Sequence, residues 1–263
     1  MGIPYCDISL NCVVGCSPIS SPDSPCLNCW SKKLHDMRRK AYMAGKKIPQ
    51  QYADHFCKIK LLPERLDELK HFKKPRTIFM CSGSDIFHPE VPFDFIENVF
   101  IAMENCQHTY LVLTKRIERA AKFLNNFEPA LVERVSRENI ILGVTIWNQE
   151  SADRVMPILL DCWKGKTWIS AEPLLGEVNI VQWLYPWGDP FNEGRVTTNN
   201  PLSFCVVGCE SGSNRRPCKD EWIDSIADQC DKANVPCLIK QREINGKVVA
   251  CKPYKNFFKG DSK

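Results

Sequence analysis

Four cysteines fall within twenty residues near the amino terminus, in NCVVGCSPISSPDSPCLNCW: Cys12, Cys16, Cys26 and Cys29. They lie among Pro, Ser, Gly and Asn, where no core strand would put them. Four thiolates can close a tetrahedral zinc site, which stabilises a fold and does nothing more. Three can instead hold an iron–sulfur cluster with one iron left open. Residue type and spacing leave both readings open. Other chemistry has less to work with. The chain has five histidines, and one of them, His88, lies shortly after an apolar run; no His-x-His or His-Glu-x-x-His pair occurs. A zinc or binuclear hydrolase therefore lacks its usual nitrogen ligands. There is no G-x-S-x-G elbow for a serine nucleophile, and GCESG is too poor in glycine for a dinucleotide fingerprint or a phosphate loop.

The elements that must position these residues follow from periodicity. Short β-favouring runs recur at 77–82, 109–114, 139–146, 166–171, 203–208 and 236–240, with one more near 8–14 ahead of the cysteines. Segments of helical period lie between them at 92–105, 116–126, 149–162 and 219–233. Strands alternating with helices predict a parallel sheet built of βαβ units. Seven strands approach the eight of a full barrel, so the expected fold is α/β with a partial (β/α) barrel, an open doubly wound sheet being the alternative. Residues 181–202 break the rhythm and read as an inserted loop, inert or a lid carrying Trp183, Tyr185 and Trp187.

Polar residues abut the end of every run. They are Ser82, Gly83, Ser84 and Asp85; Thr114, Lys115 and Arg116; WNQE; Glu172; Glu210; and Lys240. In parallel α/β folds the carboxyl ends of the strands form one rim, where sites are assembled from several strands at once. Six such ends in succession predict a shared cleft.

Fifteen cysteines in 263 residues would suggest disulfides in a secreted protein. The amino terminus has no signal-peptide pattern and no apolar run reaches membrane-spanning length, so a reducing cytoplasm and no membrane are expected. Cysteines in apolar runs, such as Cys205 and Cys237, read as small core residues. Net charge is +4 but uneven: residues 1–76 hold 14 Lys/Arg against 7 Asp/Glu, and the remainder 21 against 24. The densest basic stretch, KKLHDMRRKAYMAGKK at 32–47, suits a solvated helix face or a surface for a phosphate backbone.

NCVVGC…CLNCW followed in order by SGSDIFH, VLTKR, ISAEPLLG, GCESG and VPCLIKQ resembles a phage-associated three-cysteine-motif family of radical S-adenosylmethionine (radical SAM)-like proteins, over about residues 9–241. The resemblance implies a single domain with a partial barrel of the radical SAM type. It also implies a [4Fe–4S] cluster on Cys16, Cys26 and Cys29, with S-adenosylmethionine on the open iron and an electron donor as partner. The chain departs from the family pattern in its C-x9-C-x2-C spacing, in Cys12 where proline is usual, and in Cys209 where a second glycine is usual. Ser82, Gly83, Ser84 and Asp85 are then candidates to bind SAM, and Lys115 to pair with its carboxylate. Glu172 and Glu210 are candidates to orient substrate or move a proton, unless each is a structural ion pair with Lys115 or Lys240. The implied substrate is a nucleic-acid base or modified nucleotide, for example an amino-acid-modified thymine rearranged during hypermodification of phage DNA. A DNA lesion-repair lyase is an alternative, and so is a non-catalytic nucleic-acid- or partner-binding protein whose four cysteines hold zinc.

Overall fold

The computed structural model describes residues 3–21, 23–126, 139–185, 202–212 and 214–251. Among these residues ten strands are present: β1 (Ile8–Leu10), β2 (Val13–Val14), β3 (Lys60–Leu61), β4 (Thr77–Met80), β5 (Thr109–Thr114), β6 (Ile140–Thr145), β7 (Thr167–Ala171), β8 (Leu202–Gly208), β9 (Cys237–Ile244) and β10 (Lys247–Ala250). The helices are α1 (Trp30–Met43), α2 (Glu68–His71), α3 (Phe93–Glu104), α4 (Ile117–Asn125), α5 (Gln149–Cys162) and α6 (Asp220–Lys232). All seven expected strands and all four expected helices fall within a few residues of where periodicity puts them.

The main sheet runs β1-β4-β5-β6-β7-β8-β9-β10. The first seven strands are parallel, each beside its successor, and β10 returns antiparallel to β9. A doubly wound sheet needs a reversal of strand order, and this sheet has none, so the open alternative is ruled out. The sheet is strongly curled into a half-barrel.

Period-two alternation gives the sheet two apolar faces. One face carries Ile78, Met80, Tyr110, Val112, Ile140, Leu142, Ile169, Cys205 and Val207, in one core with helix residues such as Ile96, Phe123, Leu159 and Ile226. The other face turns inward and packs on itself through Phe79, Leu111, Ile141, Trp168, Phe204, Val206 and Leu238, closed by Tyr5. Trp168 stacks on Phe204, centroids 5.0 Å apart, and meets Phe79 edge-on at 5.9 Å. Gly143 is required beside it, because a Cβ there would lie 2.3 Å from Trp168 Nε1. Each such buried side chain contributes roughly 1.5–3 kcal/mol. The lower interior is thus filled with aromatic side chains, and polar chemistry is left to the rim.

Two features differ from expectation. Trp183, read as a lid residue, is buried, and Tyr185 packs against the same core; Trp187 lies outside the described residues. The β9–β10 hairpin was not expected, although its Asn245-Gly246 turn, both residues at positive φ, is a standard hairpin signal. Among the described residues no helix is long and apolar enough to cross a membrane.

Candidate metal centre at the strand rim

The cysteine loop leaves β2 and ends at α1. Gly15 turns the chain at φ +93°, passing so close to β3's approach that a Cβ would lie 2.4 Å from the Lys58 carbonyl oxygen. The next amide, of Cys16, donates to the Phe56 carbonyl at 2.9 Å. Further on, Ser24 caps a single helical turn at Pro25–Asn28, its Oγ accepting from the Cys26 amide at 3.0 Å. Cys29 caps α1, its Sγ accepting from the Lys32 amide at 3.5 Å. That end of a helix favours negative charge, which suits a thiolate ligand. Cys16, Cys26 and Cys29 are all half-buried thiols.

Cys12 is different. It is fully buried, and its Sγ lies 3.5 Å from Cys81 Sγ. A zinc site of Cys12, Cys16, Cys26 and Cys29 would have to pull this sulfur out of the core. The sulfurs of Cys16, Cys26 and Cys29 do not all lie within 4.8 Å of one another. Sulfurs around one zinc ion, at about 2.3 Å from it, would be roughly 4 Å apart.

Two buried ion pairs fasten the loop over the rim. At β5, Asp85 accepts from Thr114 Oγ1 at 2.9 Å, the amides of Phe87 and Lys115 at 3.0 and 3.1 Å, and Arg116 Nη1 at 3.2 Å. The Arg116 guanidinium also donates to the Ser17 carbonyl at 2.6 Å and to Cys16 Sγ at 3.7 Å. The Glu90 amide donates to His88 Nδ1 at 3.2 Å, which leaves the ring proton on Nε2 to reach Ser17 Oγ at 2.7 Å. Burial and then the nearby Arg116 charge hold His88 below its ordinary value, which favours this neutral form. Burial pushes the Cys16 thiol up to about 11 and Asp85 adds to the rise, while Arg116 and Lys115 oppose it.

At β8, Glu210 accepts from Arg216 Nη2 at 2.6 Å, the Arg216 amide at 2.8 Å and Asn28 Nδ2 at 3.0 Å. Arg216 Nη1 also donates to the Asp23 and Ser24 carbonyls at 3.1 and 3.2 Å. Burial raises the Glu210 carboxyl, but Arg216 and Asn28 outweigh it and leave the group below its ordinary range. The cysteine loop is therefore held at both ends by charges on the tips of two strands that lie three places apart in the sheet.

The remaining expected residues converge on the same place, with roles the sequence did not indicate. Cys81, at φ +53°, turns the chain after β4 so that the next four residues fold under the loop. Ser82 bonds Ser9, the Gly83 amide donates to Asn11 Oδ1 at 2.8 Å, and Ser84 Oγ donates to the Val13 carbonyl at 2.8 Å. With Asp85 buried on Arg116, each of the four has a partner within the protein, and all four hold the loop's flanks. Lys115 lies close enough to Cys16 for its charge to favour that thiolate. Glu172 has the expected partner, Lys240 Nζ, at 3.0 Å; Glu210 pairs with Arg216 instead of Lys115 or Lys240. Arg216 and Asn28 carry no sequence signal, since their loops have no period linking them to Glu210.

A second group of cysteines was not foreseen. Cys205, Cys230 and Cys237 bring their Sγ atoms within 4.8 Å of one another and could hold a metal ion. Reading Cys205 and Cys237 as core residues is right for Cys205, whereas Cys237 is half-buried against the same core, and it misses the convergence with Cys230. Sulfhydryl donation from Cys205 and then Cys230 holds the Cys237 thiol down to about 4.

The chain belongs to a family described as proteins of unknown function, DUF5131, whose match covers residues 1–254. No curated protein and no solved structure matches it.

Proposed function

We propose that this DUF5131 protein is a radical SAM-like enzyme with a [4Fe–4S] cluster on Cys16, Cys26 and Cys29, acting on a nucleic-acid base. One observation carries the reading. A loop with three half-buried thiols is clamped over the carboxyl rim of a singly wound half-barrel, while the fourth thiol, Cys12, is packed in the core.

The donor set fits the group. Three half-buried thiols with no histidine or carboxylate among them suit a thiolate-bound iron cluster. Polar groups of the inner wall fit a polar cofactor beside it. Thr145 shares the inner face with Ile141 and Gly143, and its Oγ1 is buried without a hydrogen-bond partner among the described residues. Glu172 Oε1 faces Lys240 but receives no well-directed hydrogen bond. Gly208 leaves room for that carboxylate, since a Cβ there would lie 3.2 Å from Oε1. The chemistry such a cofactor pair supplies when bound is reductive cleavage of SAM to methionine and a hydrogen-abstracting 5′-deoxyadenosyl radical.

The chain's own residues do the positioning. Asp85–Arg116 and Glu210–Arg216 set where the three thiols sit relative to the strand ends. Lys115 and Arg116 favour the Cys16 thiolate. Glu172 and Lys240 offer one acceptor and one donor group at the mouth for a ribose or a substrate base. The aromatic layer of Tyr5, Phe79, Trp168 and Phe204 fills the half-barrel below the rim and keeps water out of it.

Substrate class rests on α1, whose first residue follows Cys29 directly. Trp30 and Met37 are 51% and 61% exposed beside Lys32, Lys33 and Lys40. An exposed indole among cations fits stacked bases and phosphates. Rearrangement of an amino-acid-modified thymine in phage DNA is the concrete form of this reading, with an electron donor as second partner. The test is anaerobic reconstitution with iron and sulfide, then reduction with SAM present and DNA present or omitted. A brown chromophore, 5′-deoxyadenosine and stimulation by DNA are expected; a folded chain that takes up neither iron nor sulfide ends the proposal.

A further inference from the structure

We propose that Cys205, Cys230 and Cys237 form a second, mononuclear metal site that binds one soft divalent cation of the zinc class and cross-links the last βαβ unit. The proposal is independent of the chemistry assigned to the rim.

Cys205 and Cys237 are direct partners on the adjacent parallel strands β8 and β9. Cys230 lies in the last turn of α6, which packs across both strands. The turn between Cys230 and Cys237 is fixed by backbone bonds: the Ala233 and Val235 amides both donate to the Cys230 carbonyl, at 3.1 and 2.9 Å, with Asn234 at φ +54°. The Cys205 amide then donates to the Pro236 carbonyl at 2.9 Å. Three regular elements and a locked turn therefore gather the sulfurs without help from a ligand.

The spacing suits one ion. Sulfurs within 4.8 Å of one another need to move by roughly an ångström at most to bind at about 2.3 Å from a common centre. The donor set is sulfur alone, which selects soft cations over magnesium, calcium or manganese. Three ionised sulfurs this close would repel one another strongly. With a divalent cation between them they keep a single negative charge, their protons passing to solvent. Cys205 and Cys230 are fully buried, whereas Cys237 is partly exposed and gives a route for entry and for water as a fourth ligand. Cys205 belongs to the helix-facing core, not to the inner wall, so an ion here lies on the other face of the sheet from the inner aromatic layer. Its role is structural.

The test uses the full chain carrying Cys16→Ala, Cys26→Ala and Cys29→Ala, which removes the rim thiols. Under anaerobic conditions one equivalent of Zn2+ should stay bound through dialysis, and Co2+ should give thiolate charge-transfer and tetrahedral visible bands. Adding Cys230→Ala should abolish both signals. In the wild-type chain, Zn2+ should protect Cys237 from alkylation, mapped by mass spectrometry; this arm does not depend on the variants folding. Retention of no metal by a chain with native circular dichroism would overturn the proposal. So would alkylation of Cys237 that Zn2+ leaves unchanged, or a disulfide joining two of the three sulfurs.

Discussion

The two cysteine groups of this protein are built by opposite means. At the rim, Cys16, Cys26 and Cys29 sit in an irregular loop, half-buried, with sulfurs spread beyond single-ion spacing and backbone held by arginine–carboxylate pairs. On the outer face, Cys205, Cys230 and Cys237 are brought together by two paired strands and a helix inside an apolar layer. The comparison teaches that gathered sulfurs and accessible sulfurs are separate properties. Regular elements gather the outer group against the core, with Cys205 and Cys230 buried and Cys237 alone partly exposed. The rim group keeps access to the strand ends and depends on charge to hold its loop in place.

The largest expected effect breaks the comparison at its centre. Cys16→Ala, Cys26→Ala or Cys29→Ala should each remove the iron–sulfur chromophore and all 5′-deoxyadenosine formation, read by iron and sulfide analysis and chromatography. Cys12→Ala should keep both and cost about 1 kcal/mol of stability, because it trims a buried side chain whose sulfur meets Cys81 Sγ in the core. Equal loss from Cys12→Ala would make Cys12 a fourth ligand and leave no open iron.

Next come the two clamps. Asp85→Ala leaves Arg116 charged and nearly buried, with side-chain exposures of 7% and 11% for the pair. A loss of about 3–5 kcal/mol in urea denaturation is expected. Arg216→Ala leaves Glu210, 5% exposed, with Asn28 and the backbone amide of residue 216 still donating to it, and about 1.5–3 kcal/mol is expected, with faster proteolytic cutting between residues 17 and 28. If neither variant lowers iron retention in the reconstituted chain, the clamps do not position the thiols.

Acid should act on the second clamp. The Glu210 carboxyl is held below its ordinary value of 4.5, so its contribution is fully present above that pH. It is lost as the pH falls through the depressed folded value. Glu210→Gln should flatten that part of the stability profile below pH 4.5, followed by denaturant midpoints. An unchanged acid slope would mean that the ion pair does not stabilise the loop.

The smallest effect is a control away from both groups. Glu118 pairs with Arg154 between α4 and α5, each side chain 46% exposed. Glu118→Ala should change stability by less than about 1 kcal/mol and leave iron content untouched. A larger loss would show that exposed charge matters here as much as buried charge.

Much of the fold is legible in the residues. Alternation along 77–80, 109–114, 140–145, 167–171 and 202–208 marks strands and their two faces, because period two is a property of the extended chain itself. The sequence marks Cys12, Cys16, Cys26 and Cys29 alike as non-core, since proline, serine and asparagine lie around them; this holds for the last three, whereas Cys12 is buried in the core. Strand ends such as SGSD, TKR and GCESG are recognisable as rim residues for the same local reason.

What only the tertiary structure decided is who meets whom across the chain. Asn28 and Arg216 reach Glu210 from loops some 180 residues apart in one case and six in the other, and neither spacing has a period to reveal it. Cys12 leaves the loop's chemistry because β1 and β4 pair and bring Cys81 against it. Cys230 joins Cys205 and Cys237 because α6 crosses back over β8 and β9. Local pattern fixes the faces and the ends of elements. Contacts between distant elements are set by how the sheet curls and where each helix lands, and that follows from packing the whole core at once.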